Sequence, residues 1–370
     1  MTGLYLHIPF CRSHCPYCSF VLTTDRSLEV QFVEALQKEV AWWAQKSSAM
    51  TFSTFYAGGG TPSILSMPAW GKILKNLKEN ALLAQDVIEQ TLEVNPDDVT
   101  PESAQQWQQL GFNRISLGVQ SFQKNILVKL GRHHQPEQID VAFHVLRKAG
   151  FNNISCDLIF AVPEQTEVLW QKDLEKTASL QPNHVSLYCL SIEEGSPWHD
   201  IKKQFPVCAD DAFQAQLYDQ ARDYFSAQGY RQYEVASFAK PGYRSLHNQI
   251  YWTGENYLGL GPGAHSLVNQ QRWANASSVE AYLQTPQPQP TESYDSEKWF
   301  RELLVLGLRR VADGVNLNEL SHKTQVVMPN EIQEGLNSLK DEGLINEQAG
   351  WVRLTYKGVL MADRIASELI

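Results

Sequence analysis

The sequence predicts an α/β fold, a partial barrel of six βα units with a small winged-helix-like domain at its C-terminal end. Strand-like and helical runs alternate through the first two thirds of the chain. Polar or glycine-rich residues stand at the ends of these strand-like runs, and the rhythm changes after the sixth run. The carboxyl ends of many successive strands build the active face of a βα barrel, whereas an open sheet gathers its ligands at one switch point. The pattern therefore favours a partial barrel.

The strand-like runs alternate with stretches that have the spacing of helices. Residues 27–46, for example, carry apolar side chains at helical intervals. Six βα units in series imply a parallel sheet. The strand-like runs cover residues 3–9, 51–58, 90–95, 114–120, 154–163 and 184–191.

The chain divides into four predicted regions. Residues 1–207 form the barrel, and residues 208–282 form an extension rich in glycine and aromatic residues. Residues 283–296 are rich in Pro and Gln, which is typical of a linker. Residues 297–370 combine helices with a short hairpin at 344–355, which indicates a winged-helix-like domain. Acidic residues outnumber basic ones in this last region, so we expect it to pack against the barrel rather than bind DNA.

Composition and charge restrict the class of protein. A chain of 370 residues with 43% hydrophobic and 19% charged residues is typical of a globular protein with a large core. The formal net charge of -10 argues against nucleic acid or an anionic membrane as the main partner. We predict neither a signal peptide nor a membrane-spanning segment, and hence a cytoplasmic location. Three clustered cysteines and the scattered Cys156, Cys189 and Cys208 then favour reduced thiols and a metal over disulfides.

The segment "LHIPFCRSHCPYCSF" at residues 6–20 places Cys11, Cys15 and Cys18 close together. A zinc site needs a fourth ligand, for which His14 is available. Structural zinc sites usually pair two separated knuckles, however, and the sequence has no second CxxC motif. In a four-iron cluster, three cysteines leave one iron without a protein ligand, and that iron can bind an exchangeable small molecule.

The spacing Cys11-x3-Cys15-x2-Cys18, with Tyr17 before the last cysteine, resembles the signature of radical S-adenosylmethionine proteins. This resemblance implies a 4Fe-4S cluster whose open iron is chelated by S-adenosylmethionine. It also implies that the predicted partial barrel is the one typical of that superfamily.

The same resemblance assigns cofactor contacts to residues at the strand ends. The glycine run in "YAGGGTPS" lets backbone groups approach a ligand, although such a run by itself more often marks a tight turn. Polar residues that end apolar strands are equally typical of solvent exposure or helix capping. A carboxylate inside a buried strand must be paired. The residues implied as cofactor contacts are Tyr5, Tyr17, Gly59, Gly60, Thr61, Glu93, Gln120, Arg132 and Asp157.

The order of motifs along the chain is similar to that of oxygen-independent coproporphyrinogen III oxidase and its relatives. In that family the dehydrogenase that decarboxylates propionates carries a further cysteine where this chain has Phe20. It also carries a longer segment before the residue matching Tyr5, which only four residues precede here. Both differences favour the haem-chaperone branch of the family over the dehydrogenase, which remains the alternative.

The haem-chaperone branch is marked by an HNxxYW motif, and the chain has it at residues 247–252. An imidazole is a good axial ligand for haem iron, and Tyr and Trp pack well against a flat macrocycle. Composition alone favours a loop histidine that is hydrogen-bonded near two core aromatic residues. The resemblance implies instead that haem contacts His247, Asn248, Tyr251 and Trp252, with His265 as a weaker candidate.

The resemblance thus implies a chaperone rather than an enzyme, with no catalytic residues assigned. Its partners are haem and a haem-acceptor protein, and its cofactors are the 4Fe-4S cluster, S-adenosylmethionine and haem. The prediction leaves room for peripheral membrane contact and for a homodimer.

Overall fold

The protein is described by a computed structural model that covers residues 1–46, 50–84, 86–201 and 210–370. The predicted boundary between residues 207 and 208, together with Cys208, lies outside the described residues. Within the described ranges, no helix is long and apolar enough to cross a lipid bilayer.

Six parallel strands form the centre of the structure and follow one another in chain order across the sheet. Each coincides with one of the six predicted strand-like runs to within a few residues at either end, so the predicted α/β partial barrel is confirmed. The strands are β1 (Gly3–Ile8), β2 (Thr54–Gly59), β3 (Glu89–Val94), β4 (Arg114–Gln120), β5 (Ile154–Phe160) and β6 (His184–Cys189).

Side chains along these strands alternate between two environments. On β4, Ile115, Leu117 and Val119 join the hydrophobic core beneath the surrounding helices, because successive side chains of a strand point to opposite faces. The intervening Ser116 and Gln120 line the interior cavity. The outer face of the strand is therefore apolar, and the inner face is polar.

Helices connect the strands and cover their outer face. The second helix begins after Ser66, whose hydroxyl accepts a hydrogen bond from the Ala69 amide, and it buries Trp70, Ile73 and Leu77 at helical spacing. The helices are α1 (Glu29–Lys46), α2 (Met67–Glu79), α3 (Pro101–Gln109), α4 (Lys124–Lys129), α5 (Pro136–Lys148), α6 (Glu167–Leu180), α7 (Pro197–Ile201) and α8 (Asp211–Ala227).

The extension after α8 lengthens the same sheet at both edges. Two antiparallel strands continue it beyond β6, and four strands continue it beyond β1, which gives twelve strands among the described residues. The first of the four pairs parallel to β1. The elements are β7 (Arg231–Glu234), β8 (Ser237–Ala239), α9 (Leu246–Thr253), β9 (Tyr257–Leu260), β10 (His265–Val268), β11 (Gln271–Ala274), α10 (Val279–Gln284) and β12 (Gln289–Ser293).

The segment 283–296, predicted to be a linker, is part of the sheet. Its residues 289–293 form β12, which pairs antiparallel with β11 at the end of the strand order. Pro290 lies within this strand, and an edge strand tolerates a proline because one of its sides carries no ladder hydrogen bonds. The linker prediction was wrong because Pro and Gln enrichment does not exclude an edge strand.

The C-terminal region forms a three-stranded antiparallel sheet with helices, in the order predicted for a winged-helix-like domain. Arg244 in the extension contacts Asp313 in this region at 2.9 Å. The elements are α11 (Ser296–Leu308), β13 (Val315–Asn316), α12 (Leu317–Thr324), α13 (Asn330–Asp341), β14 (Ile345–Gln348), β15 (Trp351–Leu354), α14 (Tyr356–Leu360) and α15 (Ala362–Leu369).

A buried carboxylate joins the barrel to the extension. Glu39 on α1 is fully buried and accepts hydrogen bonds from the Tyr282 hydroxyl at 2.6 Å and the Gly261 amide at 2.9 Å. The Asn275 side-chain amide donates to its second oxygen at 2.7 Å. Burial raises the pKa of Glu39 to about 8, although these donors oppose the rise. The carboxyl group therefore binds a proton when the chain folds at neutral pH.

Replacing Glu39 with Gln is expected to remove a pH dependence of stability. The pKa of Glu39 is about 8 in the folded chain, against an ordinary value of 4.5. Between these two pKa values the folded chain thus binds more protons than the unfolded chain. The free energy of unfolding therefore falls as the pH rises through this range. Urea unfolding at about pH 5, 6.5 and 8.5 should show this fall in the wild type and a flatter profile in Glu39→Gln.

The exposed Glu34 on the same helix provides the matched control, because Glu34→Gln changes charge and helix propensity without touching the buried network. Parallel pH profiles for the wild type and Glu39→Gln would contradict the raised pKa of Glu39.

Candidate functional site

A cavity of about 470 Å³ opens at the carboxyl ends of the parallel strands. Residues from the loops after several strands line it, as expected for the active face of a βα barrel. The sequence-predicted residues on its wall are Cys11, Cys15, Tyr17, Cys18, Gly59, Gly60, Thr61, Glu93, Gln120, Arg132 and Asp157.

The three clustered cysteines lie in the loop after β1. Backbone hydrogen bonds fix this loop: the Cys11 amide donates to the Thr23 carbonyl at 3.0 Å, and the Cys18 amide donates to the Cys15 carbonyl at 3.1 Å. Cys11 is buried, and the other two thiols are half-buried at the cavity wall. The loop therefore presents three thiols to one cavity.

The position of His14 disfavours the zinc alternative. Its imidazole Nε2 contacts the carbonyl of Cys18 at 2.9 Å, and its side chain is exposed. Among the described residues, no group of three or more His, Cys, Asp or Glu side chains converges on one metal ion. Three thiols around an open cavity instead suit a larger group with several metal atoms, such as an iron–sulfur cluster.

The glycine run after β2 adjoins the cysteine loop closely. A Cβ at Gly60 would lie 2.8 Å from the carbonyls of Ile8 and Phe10 and 3.0 Å from the Cys11 sulfur. Gly59 has a φ of 105°, in the region that favours glycine, and a Cβ there would meet the ring of His7 at 2.5 Å. The run thus allows the backbone to pass directly beside Cys11.

Hydrogen-bond donors reach two of the thiols. The Thr61 hydroxyl donates to the Cys11 sulfur at 3.4 Å, and the Arg132 guanidinium donates to the Cys15 sulfur at 3.7 Å. Burial raises the pKa of Cys11 to about 11. Burial also raises the pKa of Cys18. At neutral pH these two thiols stay protonated until a metal displaces their protons.

Glu93 at the end of β3 accepts two hydrogen bonds from β2. The Tyr56 hydroxyl donates to one carboxylate oxygen at 2.8 Å, and the Gly59 amide donates to the other at 3.1 Å. Burial raises the pKa of Glu93 to about 7, and the Tyr56 bond opposes this rise. Sequence reasoning missed Tyr56, although the period of two along β2 places it on the inner face with Thr54.

Asp157 is paired, as a carboxylate in an apolar strand must be. Ser116 on the neighbouring strand donates to it at 2.7 Å, and Ser155 on its own strand donates at 3.0 Å. Burial raises the pKa of Asp157, and these donors oppose the rise. Its partners are hydroxyl groups rather than a base, so the carboxyl group stays available to a ligand in the cavity.

Gln120 ends β4 in a left-handed conformation with a φ of 64°, which costs energy for a residue other than glycine. Asp173 on α6 stabilises the turn that follows. This buried carboxylate accepts from the Ser121 hydroxyl at 2.7 Å, the Phe122 amide at 2.8 Å and the Gln123 side chain at 2.9 Å. Sequence reasoning missed Asp173, because it lies on α6 and not next to the turn in the sequence.

Arg132 follows α4 and lies on the cavity wall, where it contacts two different partners. It donates to the Cys15 sulfur and, through its other terminal nitrogen, to the side-chain oxygen of Asn95. Both of these partners are hydrogen-bond acceptors, and they suit a guanidinium because it has only donors. Asn95 also lines the cavity and was not predicted.

Tyr5 lies below the residues that line the cavity. Its hydroxyl contacts the imidazole of His7 at 3.1 Å, and its backbone pairs with both β2 and β9. The predicted role of Tyr5 is a backbone contact with the cofactor, which stays a prediction.

The HNxxYW motif forms most of α9 rather than a loop. His247 is 1% exposed, with Nδ1 at 2.9 Å from the Thr54 hydroxyl and Nε2 at 2.9 Å from the Tyr251 hydroxyl. Its backbone amide donates to Glu89 at 2.8 Å. Burial lowers the pKa of His247 to about 3, so the ring is neutral. Composition alone favoured a hydrogen-bonded loop histidine near aromatic residues; the hydrogen bonds and aromatic neighbours are present. Only the loop was wrong, because Ser245 caps a helix here by accepting from the Asn248 amide.

The motif's side chains divide between two faces of α9. His247 and Tyr251 share the inner face, because residues four positions apart are neighbours on a helix. Trp252 lies elsewhere, with the Arg309 guanidinium 4.7 Å from its ring centre. The Trp252 ring also meets that of Tyr251 edge-on, with ring centres 6.4 Å apart, but His247 is buried, so the four predicted haem contacts do not form one exposed surface in this conformation. His265 is an exposed residue of β10 and lies outside the cavity wall.

An aromatic contact links the motif to the cavity. The ring centres of Tyr56 and His247 are 5.3 Å apart, and the hydroxyl of Tyr56 reaches Glu93 on the cavity wall. The inner face of β2 thus contacts both α9 and the candidate cofactor site.

Comparison with known proteins gives consistent results. Residues 5–178 match the Radical SAM superfamily. The chain is 31% identical to the Heme chaperone HemW of Bacillus subtilis (strain 168) over 99% of this chain and 98% of that protein. It is 33% identical to the Heme chaperone HemW of Lactococcus lactis over 100% of this chain and 97% of that protein. Coproporphyrinogen III oxidase (HemN) from Escherichia coli has the same fold, with a TM-score of 0.88, 22% identity, and coverage of 100% and 89%.

Removing the Asp173 carboxylate is expected to loosen the turn that carries Gln120. Asp173→Ala leaves the Phe122 amide without its acceptor, which costs about 1–3 kcal/mol. Amide hydrogen exchange over residues 119–124 should become faster, and the free energy of unfolding should fall. Ser121→Ala removes its bond to Asp173 and the acceptor of the Gln123 amide but keeps the Phe122 bond, so exchange at the Phe122 amide should change less than in Asp173→Ala. Unchanged exchange in Asp173→Ala would contradict the anchoring role.

Proposed function

Because this chain belongs to the HemW family of radical SAM proteins, we propose that it is a haem chaperone, which binds haem and transfers it to an acceptor protein. The observation that carries this proposal is similarity over the whole length of two proteins named Heme chaperone HemW. That similarity continues past residue 178, where the match to the superfamily ends, and so includes the HNxxYW helix and the C-terminal region.

The proposal assigns a 4Fe-4S cluster to Cys11, Cys15 and Cys18. Their thiols line one cavity, and Gly60 leaves no room for a side chain beside Cys11. When bound, the cluster supplies one-electron chemistry and an open coordination position for S-adenosylmethionine. The chain's own contribution is to hold the three sulfurs, to donate hydrogen bonds to them and to limit their contact with water.

S-adenosylmethionine is proposed to occupy the rest of the cavity. Glu93 and Gln120 offer a carboxylate and an amide to the ribose hydroxyls, and Arg132 offers a cation to the methionine carboxylate. Gly59 and Gly60 provide backbone groups at a turn without side chains. Asp157, on the same wall, accepts hydrogen bonds from the hydroxyls of Ser116 and Ser155. This set supports a ligand that carries both a ribose and a carboxylate.

Haem binding is assigned to the HNxxYW helix, with His247 as the iron ligand. The neutral ring suits ligation, because an imidazole binds a metal in its unprotonated form. Contact with Thr54 at Nδ1 orients the ring, as a second hydrogen bond usually does for a histidine ligand. The Tyr251 hydroxyl occupies Nε2 and the ring is buried, so α9 must move for haem to enter.

Haem affinity should depend on His247 and not on the Tyr251 hydroxyl. In an anaerobic haem titration of the cluster-loaded protein, followed by absorption, we expect one haem per chain. His247→Ala should weaken binding by about tenfold or more. Tyr251→Phe keeps the aromatic ring and frees Nε2, so its affinity should equal or exceed that of the wild type.

Equal haem affinity in the wild type and His247→Ala would contradict the assignment of the ligand. If neither protein binds haem, the chaperone proposal itself fails, and HNxxYW is then a structural motif that closes the barrel.

The affinity for S-adenosylmethionine should depend on pH through Glu93. The carboxylate form accepts hydrogen bonds from ribose hydroxyls, so binding should strengthen as the pH rises through about 7, the pKa of Glu93. Tyr56→Phe removes a donor that lowers this pKa, so the midpoint should move to higher pH. At neutral pH the loss should be about 1 kcal/mol, or about fivefold in affinity.

Tyr5→Phe is the matched control for Tyr56→Phe, because the Tyr5 hydroxyl contacts His7 and leaves both Glu93 oxygens untouched. A shift of the same size in both variants, or no shift in Tyr56→Phe, would contradict the role of the Tyr56 bond.

The alternative function is a radical enzyme that decarboxylates the propionates of coproporphyrinogen III. The cavity supports it, because every predicted cofactor contact except Tyr5 lies on its wall. Phe20, 62% exposed and part of the same wall, replaces the cysteine that the resemblance expects in such an enzyme. Anaerobic incubation with coproporphyrinogen III and a reductant decides between the two functions, because the enzyme must form decarboxylated product.

A further inference from the structure

We propose that Asn95 is a positioning residue for the iron–sulfur cluster and that it acts through Thr61 on the Cys11 sulfur. The inference rests on the proposed function, since it requires the cluster to be held by the three cysteines. Asn95 follows β3 and lines the cavity.

The orientation of the Asn95 side chain is set by Arg132. A guanidinium carries donors and no acceptor, so the atom of Asn95 that faces it must be the amide oxygen. Arg132 donates to this oxygen with one terminal nitrogen and to the Cys15 sulfur with the other, at 3.7 Å. The amide nitrogen of Asn95 must then point away from Arg132.

The amide nitrogen of Asn95 meets Thr61. It donates to the Thr61 hydroxyl oxygen at 3.4 Å, and that hydroxyl donates its single hydrogen to the Cys11 sulfur at 3.4 Å. Thr61 is 6% exposed and Cys11 is 8% exposed, so water does not readily replace either bond. Because arginine has only donors, the donor and the acceptor of each hydrogen bond in the series Arg132, Asn95, Thr61 and Cys11 are fixed.

The backbone at Asn95 supports a role for its side chain in the cavity. Asn95 stands immediately before the short 3₁₀ turn at residues 96–98, where asparagine commonly caps the turn with its side chain. Here the side chain makes no such bond. Its two polar groups are used instead by Arg132 and Thr61, and Pro96 restricts the residue before it to the extended conformation seen.

The chain of bonds has a consequence for electron affinity. Hydrogen bonds to the sulfur ligands of a cluster are one of the factors that set its reduction potential, since they stabilise the added negative charge of the reduced form. The Thr61 hydroxyl is the donor to Cys11, and Asn95 prevents that hydroxyl from turning to another acceptor. Loss of either residue should therefore make the cluster harder to reduce.

The test is a double-mutant cycle read out as reduction potential. The chain is reconstituted with iron and sulfide, and its potential is measured without S-adenosylmethionine or haem in an anaerobic redox titration followed by electron paramagnetic resonance. Thr61→Val should shift the potential to a more negative value, and Thr61→Ser, which keeps the hydroxyl, should stay near the wild type. Asn95→Leu should also shift it to a more negative value.

The cycle separates action through Thr61 from a general structural effect. In the Thr61→Val background, the shift caused by Asn95→Leu should be smaller, because the hydroxyl that Asn95 orients is absent and only the path through Arg132 to the Cys15 sulfur is left. An equal shift in both backgrounds, or a Thr61→Val potential equal to that of the wild type, would overturn the inference. A wild-type chain that takes up no cluster contradicts the proposed function instead, so the two failures are distinguishable.

Discussion

Polar groups inside the barrel must find hydrogen-bond partners within the chain, and this requirement organises the candidate site. Several inward polar residues are held by a side chain on a neighbouring element. Tyr56 on β2 holds Glu93 on β3, Ser116 on β4 holds Asp157 on β5, and Thr54 on β2 contacts His247 on α9. The alternation of apolar outer and polar inner side chains makes such pairs available wherever two strands are adjacent.

Strand β2 and the turn after it connect the parts of the site. On β2, Thr54 contacts the HNxxYW helix and Tyr56 contacts Glu93. In the turn that follows, Thr61 contacts the cysteine loop. Because the Tyr56 ring packs on His247, a movement of α9 that exposes the imidazole also removes a support of the hydroxyl that contacts Glu93. The proposed haem site and the proposed cofactor site therefore share one structural element.

The cavity wall combines the Arg132 cation with the carboxyl groups of Glu93 and Asp157. Arg132 is oriented by acceptors on two sides, and its guanidinium lies beside the cysteine loop. The chain as a whole is acidic, with a formal net charge of -10. The positive charge beside the cysteine loop therefore results from the position of Arg132 in the fold and not from the overall composition. Because burial raises the pKa values of Cys11 and Cys18, a metal group that binds them at neutral pH must displace their protons.

The sequence by itself determined the features that depend on local order. Strand runs were predictable because each run is short, apolar and bounded by turns, and the cysteine spacing is a property of eight consecutive positions. The tertiary structure decided the roles of Tyr56, Asn95 and Asp173, whose partners lie 37, 34 and 52 positions away along the chain. It also placed His247 beneath the barrel rather than on the surface, and residues 289–293 at the edge of the sheet. Such contacts arise when strands and helices from distant parts of the chain pack together, and no local pattern of residues encodes them.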